Sequence, residues 1–109
     1  MSIPGIDDLM RQAQELSRNL TQAKEELAQR KVEASAGGGM VRVRADGRGR
    51  IVDVQIEPQV ADGSDIDMLQ DLIIAAANQA LEKSREMAAE AYRSLTGGIP
   101  LPGMDDLFR

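Results

Sequence analysis

Cysteine and histidine are both absent from the 109 residues. The first absence rules out a disulfide framework. Together they remove the side chains that most often serve as base, nucleophile or soft metal ligand near neutral pH. Aromatic residues are nearly missing: tryptophan does not occur, and Tyr92 and Phe108 stand alone. A chain so poor in rings offers no platform on which single-stranded bases could stack. No apolar run approaches the length of a membrane span. Neither a G-x-G-x-x-G nor a Walker A lysine is present, and Gly37–Gly39 lead into a strand, so no helix N-terminus waits there for a phosphate. Asp62, Ser64, Asp65 and Asp67 resemble a calcium loop only loosely. They lack the later bidentate glutamate, and helix capping accounts for them better. No catalytic residues, metal or cofactor are expected, and no small-molecule substrate.

What is present is a stripe. From Ile6 to Leu27 the apolar positions are Ile6, Leu9, Ala13, Leu16, Leu20, Ala23 and Leu27, spaced alternately by three and four. That spacing predicts a helix over 6–30, roughly 35 Å long, with a narrow heptad seam suited to one long neighbour. Leu9, Ala13, Leu16, Leu20, Ala23 and Leu27 are the candidate seam or dimer residues. The small Ala13 and Ala23 would let a partner helix come close.

After Arg30 the period drops to two, and three strands are expected over 31–57. Val32, Ala34 and Ala36 alternate inward on the first, and Val41, Val43 and Ala45 on the second, with Arg42 and Arg44 outward. Val52, Val54 and Ile56 line the inner face of the third, which Pro58 ends. A two-residue loop of Gly47 and Arg48 would set Val43 opposite Val52 and Arg42 opposite Asp53, an ion pair across the strands. A second helix, 65–96, starts at a Ser64 or Asp65 cap. It is apolar on nearly all sides from Met68 to Leu81, which predicts burial on more than one face. Its first half is expected to cover the sheet and its second half to lie beside the seam. Gly97 and Gly98 stop it, leaving a tail over 97–109. In that tail Pro102-Gly103-Met104-Asp105-Asp106-Leu107 echoes Pro4-Gly5-Ile6-Asp7-Asp8-Leu9; similar local needs explain the echo.

The fold class expected is therefore α+β in a single domain over 1–109. A core so short of large side chains points to self-association, most simply a two-fold dimer. The first ten residues have no basic segment followed by an apolar one, so no secretory signal is expected and the location is cytoplasmic.

The net charge of −5 argues against a generally basic nucleic-acid binder, but local patches decide binding. Arg42, Arg44, Arg48 and Arg50 form the one basic window, opposed within it only by Asp46. They could meet duplex phosphates with two-pronged hydrogen bonds, or serve as a solvated face. Arg11, Arg18, Arg85 and Arg93 lie on the helices, each with an acid three or four residues away. Glu15 serves both Arg11 and Arg18, Glu82 serves Arg85, and Glu90 serves Arg93.

Four strings in this order resemble the YbaB/EbfC family of bacterial nucleoid-associated proteins. They are Leu9-Met10-Arg11-Gln12-Ala13-Gln14, Gly38-Gly39-Met40-Val41-Arg42-Val43, Val54-Gln55-Ile56-Glu57-Pro58, and Met68-Leu69-Gln70-Asp71-Leu72-Ile73-Ile74-Ala75-Ala76, with Leu101-Pro102-Gly103 in the tail. The resemblance implies a sheet-centred homodimer with projecting helical arms, binding double-stranded DNA in the nucleoid and altering its conformation. It places DNA contact at the arm tips, and so favours Arg11, Arg18, Arg85 and Arg93 over the hairpin arginines. The alternative is a dimeric protein–protein adaptor that does not bind DNA; a third reading is a cryptic metal-dependent enzyme.

Overall fold

The computed structural model describes residues 5–95. In chain order the elements are α1 (Ile6–Gln29), β1 (Lys31–Ala36), β2 (Val41–Asp46), β3 (Ile51–Ile56) and α2 (Ile66–Leu95). The strands form an antiparallel meander in the order β1-β2-β3. The expected α+β architecture is present. The predicted helix stop at Gly97–Gly98, the tail and its repeat lie outside the described residues. Met40 belongs to the turn before β2.

α1 begins at Gly5, with Asp7 and Asp8 in the first turn where carboxylates suit the positive end of the helix dipole. Its other end is unusual, because β1 starts after a single residue, Arg30. The carbonyls of Leu27 and Arg30 are met by the hairpin: the Gly47 N–H donates to both, at 2.9 and 3.1 Å. This satisfies acceptors that a helix terminus leaves orphaned. The approach is so close that a Cβ on Gly47 would sit 2.5 Å from the Leu27 carbonyl oxygen. From the other side, the buried Ser84 hydroxyl of α2 donates to the Asp46 carbonyl at 2.6 Å. The carboxylate of Asp46, itself buried, accepts the N–H groups of Arg48 and Arg50 at 2.8 and 3.2 Å. One turn thus ties together both helices and the sheet.

The same turn corrects the expected register. Val43 pairs with Val54, not Val52, and Arg42 with Gln55, not Asp53; it is Arg44 that faces Asp53. Two single-residue insertions cause the shift. The Asp46 N–H bonds to the Arg50 carbonyl at 2.8 Å, so the loop holds Gly47, Arg48 and Gly49, with Gly49 at φ +82°. A bulge between Arg44 and Ala45 then adds another residue. Because the two shifts sum to an even number, the apolar face is preserved at Val54 and Ile56, while Val52, expected on that face, has no partner on β2 and Ile51 stands opposite Ala45. Arg42 finds Glu57 instead, at 3.9 Å.

α2 starts where Asp65 accepts the Met68 N–H at 2.9 Å, so Asp65 is the cap. Its first half covers the sheet. Ala76 and Ala80, fully buried, bring it close over Ala34, Val41, Val43 and Ala45, with Leu69, Leu72 and Ile73 filling around them. The cover reaches β1 and β2 but scarcely β3. Ile51, Val52, Val54 and Ile56 are all exposed, and so are Ile66, Met68 and Ile74 on α2. The expectation that the apolar run of α2 is buried on several faces is therefore not met within one copy: the helix has one sheet to lie on, and its remaining apolar side faces outward.

The second half of α2 packs against the seam as expected. Leu27, Ala88 and Tyr92 form a second small core with Leu20, Ala23, Met87, Ala91 and Leu95 around them. Only the part of α1 from Leu20 onward takes part. Every residue from Ile6 to Asn19 is exposed, Leu9 and Leu16 of the seam among them. The molecule measures 76 × 22 × 18 Å, a rod whose length comes from helices reaching past the sheet.

Candidate nucleic-acid interface

The cations fall into three places. Arg42 and Arg44 lie on the open face of the sheet, opposite α2. That face is not uniformly basic. Arg44 is flanked by Glu33 on β1, with Nε 3.2 Å from its carboxylate, and by Asp53 on β3. Arg42 sits between Ser35 and Gln55 and reaches Glu57. The strand pairing thus places Glu33 and Asp53 beside Arg44, and Glu57 lies within reach of Arg42.

Arg48 and Arg50 occupy the hairpin tip. Arg48 Nε lies 3.8 Å from Asp46, whose carboxylate is already committed to backbone N–H groups. Arg50 makes no ion pair among the described residues.

The helical cations mostly pair along their own helix. Arg85 binds Glu82 at 2.6 Å and Arg93 binds Glu90 at 3.0 Å, as the spacing predicts. Arg11 binds Asp8, not Glu15; Asp8 lies one turn before it, within the first turn of the helix. Arg18 makes no ion pair among the described residues, so the expected shared role of Glu15 is not seen. Each of these pairs is half exposed or more. Exposed pairs contribute only about 0–1 kcal/mol, so a phosphate can displace the carboxylate at small cost.

The structure brings together members of sets that are separate in sequence. At the junction of α1, the hairpin and α2 lies an open cavity of about 420 Å³. Its rim carries Lys24 from α1, Arg48 from the hairpin tip and Arg85 from α2. Leu27, Leu81, Ala88 and Tyr92 give it an apolar floor. Burial pushes the Tyr92 phenol up from its ordinary range, so the ring is neutral at neutral pH. Lys24 was not among the sequence candidates, because Glu25 and Glu26 follow it directly. The overlooked signal was its helical neighbours: Leu20, Thr21, Leu27 and Ala28 are three and four residues away, and none is acidic.

The acidic loop before α2 behaves as a cap. Asp62 accepts the Ser64 N–H at 2.8 Å, and hydrogen bonding from Ser64 lowers its pKa. No group of acidic side chains among the described residues is arranged to hold a metal ion.

The profile of the YbaB/EbfC DNA-binding family matches residues 2–99. The chain belongs to that family. Similar relatives include a nucleoid-associated protein of Syntrophobacter fumaroxidans, 48% identical over 87% of this chain and 86% of its own length. Another, from Acetivibrio thermocellus, is 47% identical over 91% and 88%. A third, from Moorella thermoacetica, is 45% identical over 94% and 99%. Among solved structures, the crystal structure of the uncharacterized protein HP0035 from Helicobacter pylori superposes with a TM-score of 0.76 at 23% identity, covering 84% of this chain and 97% of that one. That likeness shows that the two chains share a fold. The family match extends to residues 2–99, and so includes both helices and the full sheet.

Proposed function

We propose that this YbaB/EbfC member grips the backbone of duplex DNA as a homodimer and alters its conformation, serving nucleoid organisation or gene regulation. Family membership supports the DNA. The bare β3 face supports the second copy: Ile51, Val52, Val54 and Ile56 stand exposed beside β2, whose apolar side chains Val41, Val43 and Ala45 are fully buried. Contiguous apolar surface of this kind marks an interaction site. A second copy lying on β3, with the free upper seam of α1 available for a further helix, would complete a core that one chain fills poorly. The arms and hairpin tips then present Arg11, Arg18, Arg48, Arg50, Arg85 and Arg93. With no aromatic platform the contact is to phosphates, with slight sequence preference and strong salt dependence.

A gel-shift series in rising salt at known solution mass tests this. Affinity should fall steeply, and Arg18→Ala or Arg50→Ala should reduce the log–log slope by roughly one. A dimer that gives no shift at low salt would instead favour the second reading, an acidic dimeric adaptor holding a protein. The observation on that side is the acid beside each sheet-face arginine.

A further inference from the structure

The cavity between α1, the hairpin and α2 shares Arg48 and Arg85 with the proposed DNA-facing set, but its Lys24 and its apolar lining are not required by backbone gripping. It is concave, whereas a duplex presents its phosphates on a convex ridge. We propose that it is a binding site for a small phosphate ester of nucleotide size, a ligand that is bound and not turned over.

Three features converge on this class. The cations Lys24, Arg48 and Arg85 come from three different elements and line one cavity, while no carboxylate is among its lining residues. On a chain of net charge −5, that is a local reversal of sign. Two of the three are guanidinium groups, whose planar forks match phosphate oxygens in pairs; a phosphate monoester offers three terminal oxygens and up to two negative charges, where a carboxylate offers two oxygens and one charge. The pairs that now hold Arg48 and Arg85 are half exposed on the arginine side, and Lys24 has no ion pair among the described residues.

The remainder of the site suits an organic body attached to the phosphate. Its floor is Leu27, Leu81, Ala88 and the Tyr92 ring. The Ser84 hydroxyl that lines it is already spent on the Asp46 carbonyl. A volume of about 420 Å³ lies in the range of small-molecule sites, and well above what one inorganic phosphate fills. The walls are also fixed in place. Gly47 is clasped to α1 and Ser84 to the hairpin, so the three cations are held by anchored elements and little order has to be gained on binding.

The test is AMP titrated into the full chain labelled with 15N, with adenosine, inorganic phosphate and a short DNA duplex as parallel probes. Shifts are expected at the backbone amides of Gly47, Gly49, Ala88 and Tyr92, which line the cavity. Adenosine should leave them unmoved, and inorganic phosphate should bind at least about tenfold more weakly than AMP. Lys24→Ala should weaken AMP by about tenfold and Lys24→Arg should restore it, with an unchanged circular dichroism spectrum in both. Silence at the cavity in millimolar AMP, equal binding of adenosine, or an indifferent Lys24→Ala would overturn the site. Inorganic phosphate as tight as AMP would overturn the nucleotide-sized body. Duplex that displaces AMP and moves the same amides would assign the cations to DNA and overturn the separate ligand, whereas duplex binding that leaves AMP in place supports it.

Discussion

β2 and β3 lie side by side with nearly the same alternation, yet they live in different surroundings. Val41 and Val43 have no exposure at all, while their partners Ile56 and Val54 retain 36% and 44%. α2 covers one strand and stops short of the other. Periodicity therefore states which face of a strand is apolar; it does not state what lies on it. α1 repeats the lesson along its own axis, with Leu20, Ala23 and Leu27 packed on α2 and Leu9, Ala13 and Leu16 in solvent.

Charge placed on each strand is the most severe way to break this contrast. Val43→Asp buries an unpaired carboxylate under α2 and should abolish the cooperative unfolding transition, a loss of more than about 4 kcal/mol. On the proposed dimer through β3, Val54→Asp should leave the helical circular dichroism of each chain intact and halve the solution mass. Persistence of the full mass would place the second copy elsewhere. Next come the two halves of the seam. Leu27→Ala should cost about 3 kcal/mol in urea unfolding, and Leu9→Ala less than about 0.5. An equal cost at Leu9 would mean that the upper half is covered in solution. Gly47→Ala should cost about 2 kcal/mol, because the added methyl must push the hairpin off the Leu27 carbonyl.

The smallest effect is at high pH. Burial raises the folded Tyr92 pKa above 10.0, so the neutral phenol is the form that folding favours. The stability it contributes is complete below the unfolded pKa and is lost as pH rises through the folded one. Absorbance of this sole tyrosine should titrate above 10.0 in the native protein and return toward it in urea.

Much of the fold was legible in the sequence because its signals are local. The three–four spacing of α1, the alternation of the strands, Pro58 and the Asp65 cap each act within a few residues. The register was not, because it depends on a buried carboxylate gathering N–H groups from Arg48 and Arg50, and on a bulge that no residue type announces. The cation sites were half legible. Arg85 with Glu82 and Arg93 with Glu90 follow from helical spacing. The neutralisation of Arg44 by Glu33 depends on strand pairing, and the meeting of Lys24, Arg48 and Arg85 on three elements packing together.

The clasp between Gly47 and the end of α1 makes that helix a cantilever. About 21 Å of it, the stretch from Ile6 to Asn19, is free, against roughly 12 Å that is anchored. A tilt of the packed segment is thus magnified nearly twofold at the tip. A load applied to the tip returns through the Leu27 carbonyl to the hairpin turn that carries Arg48.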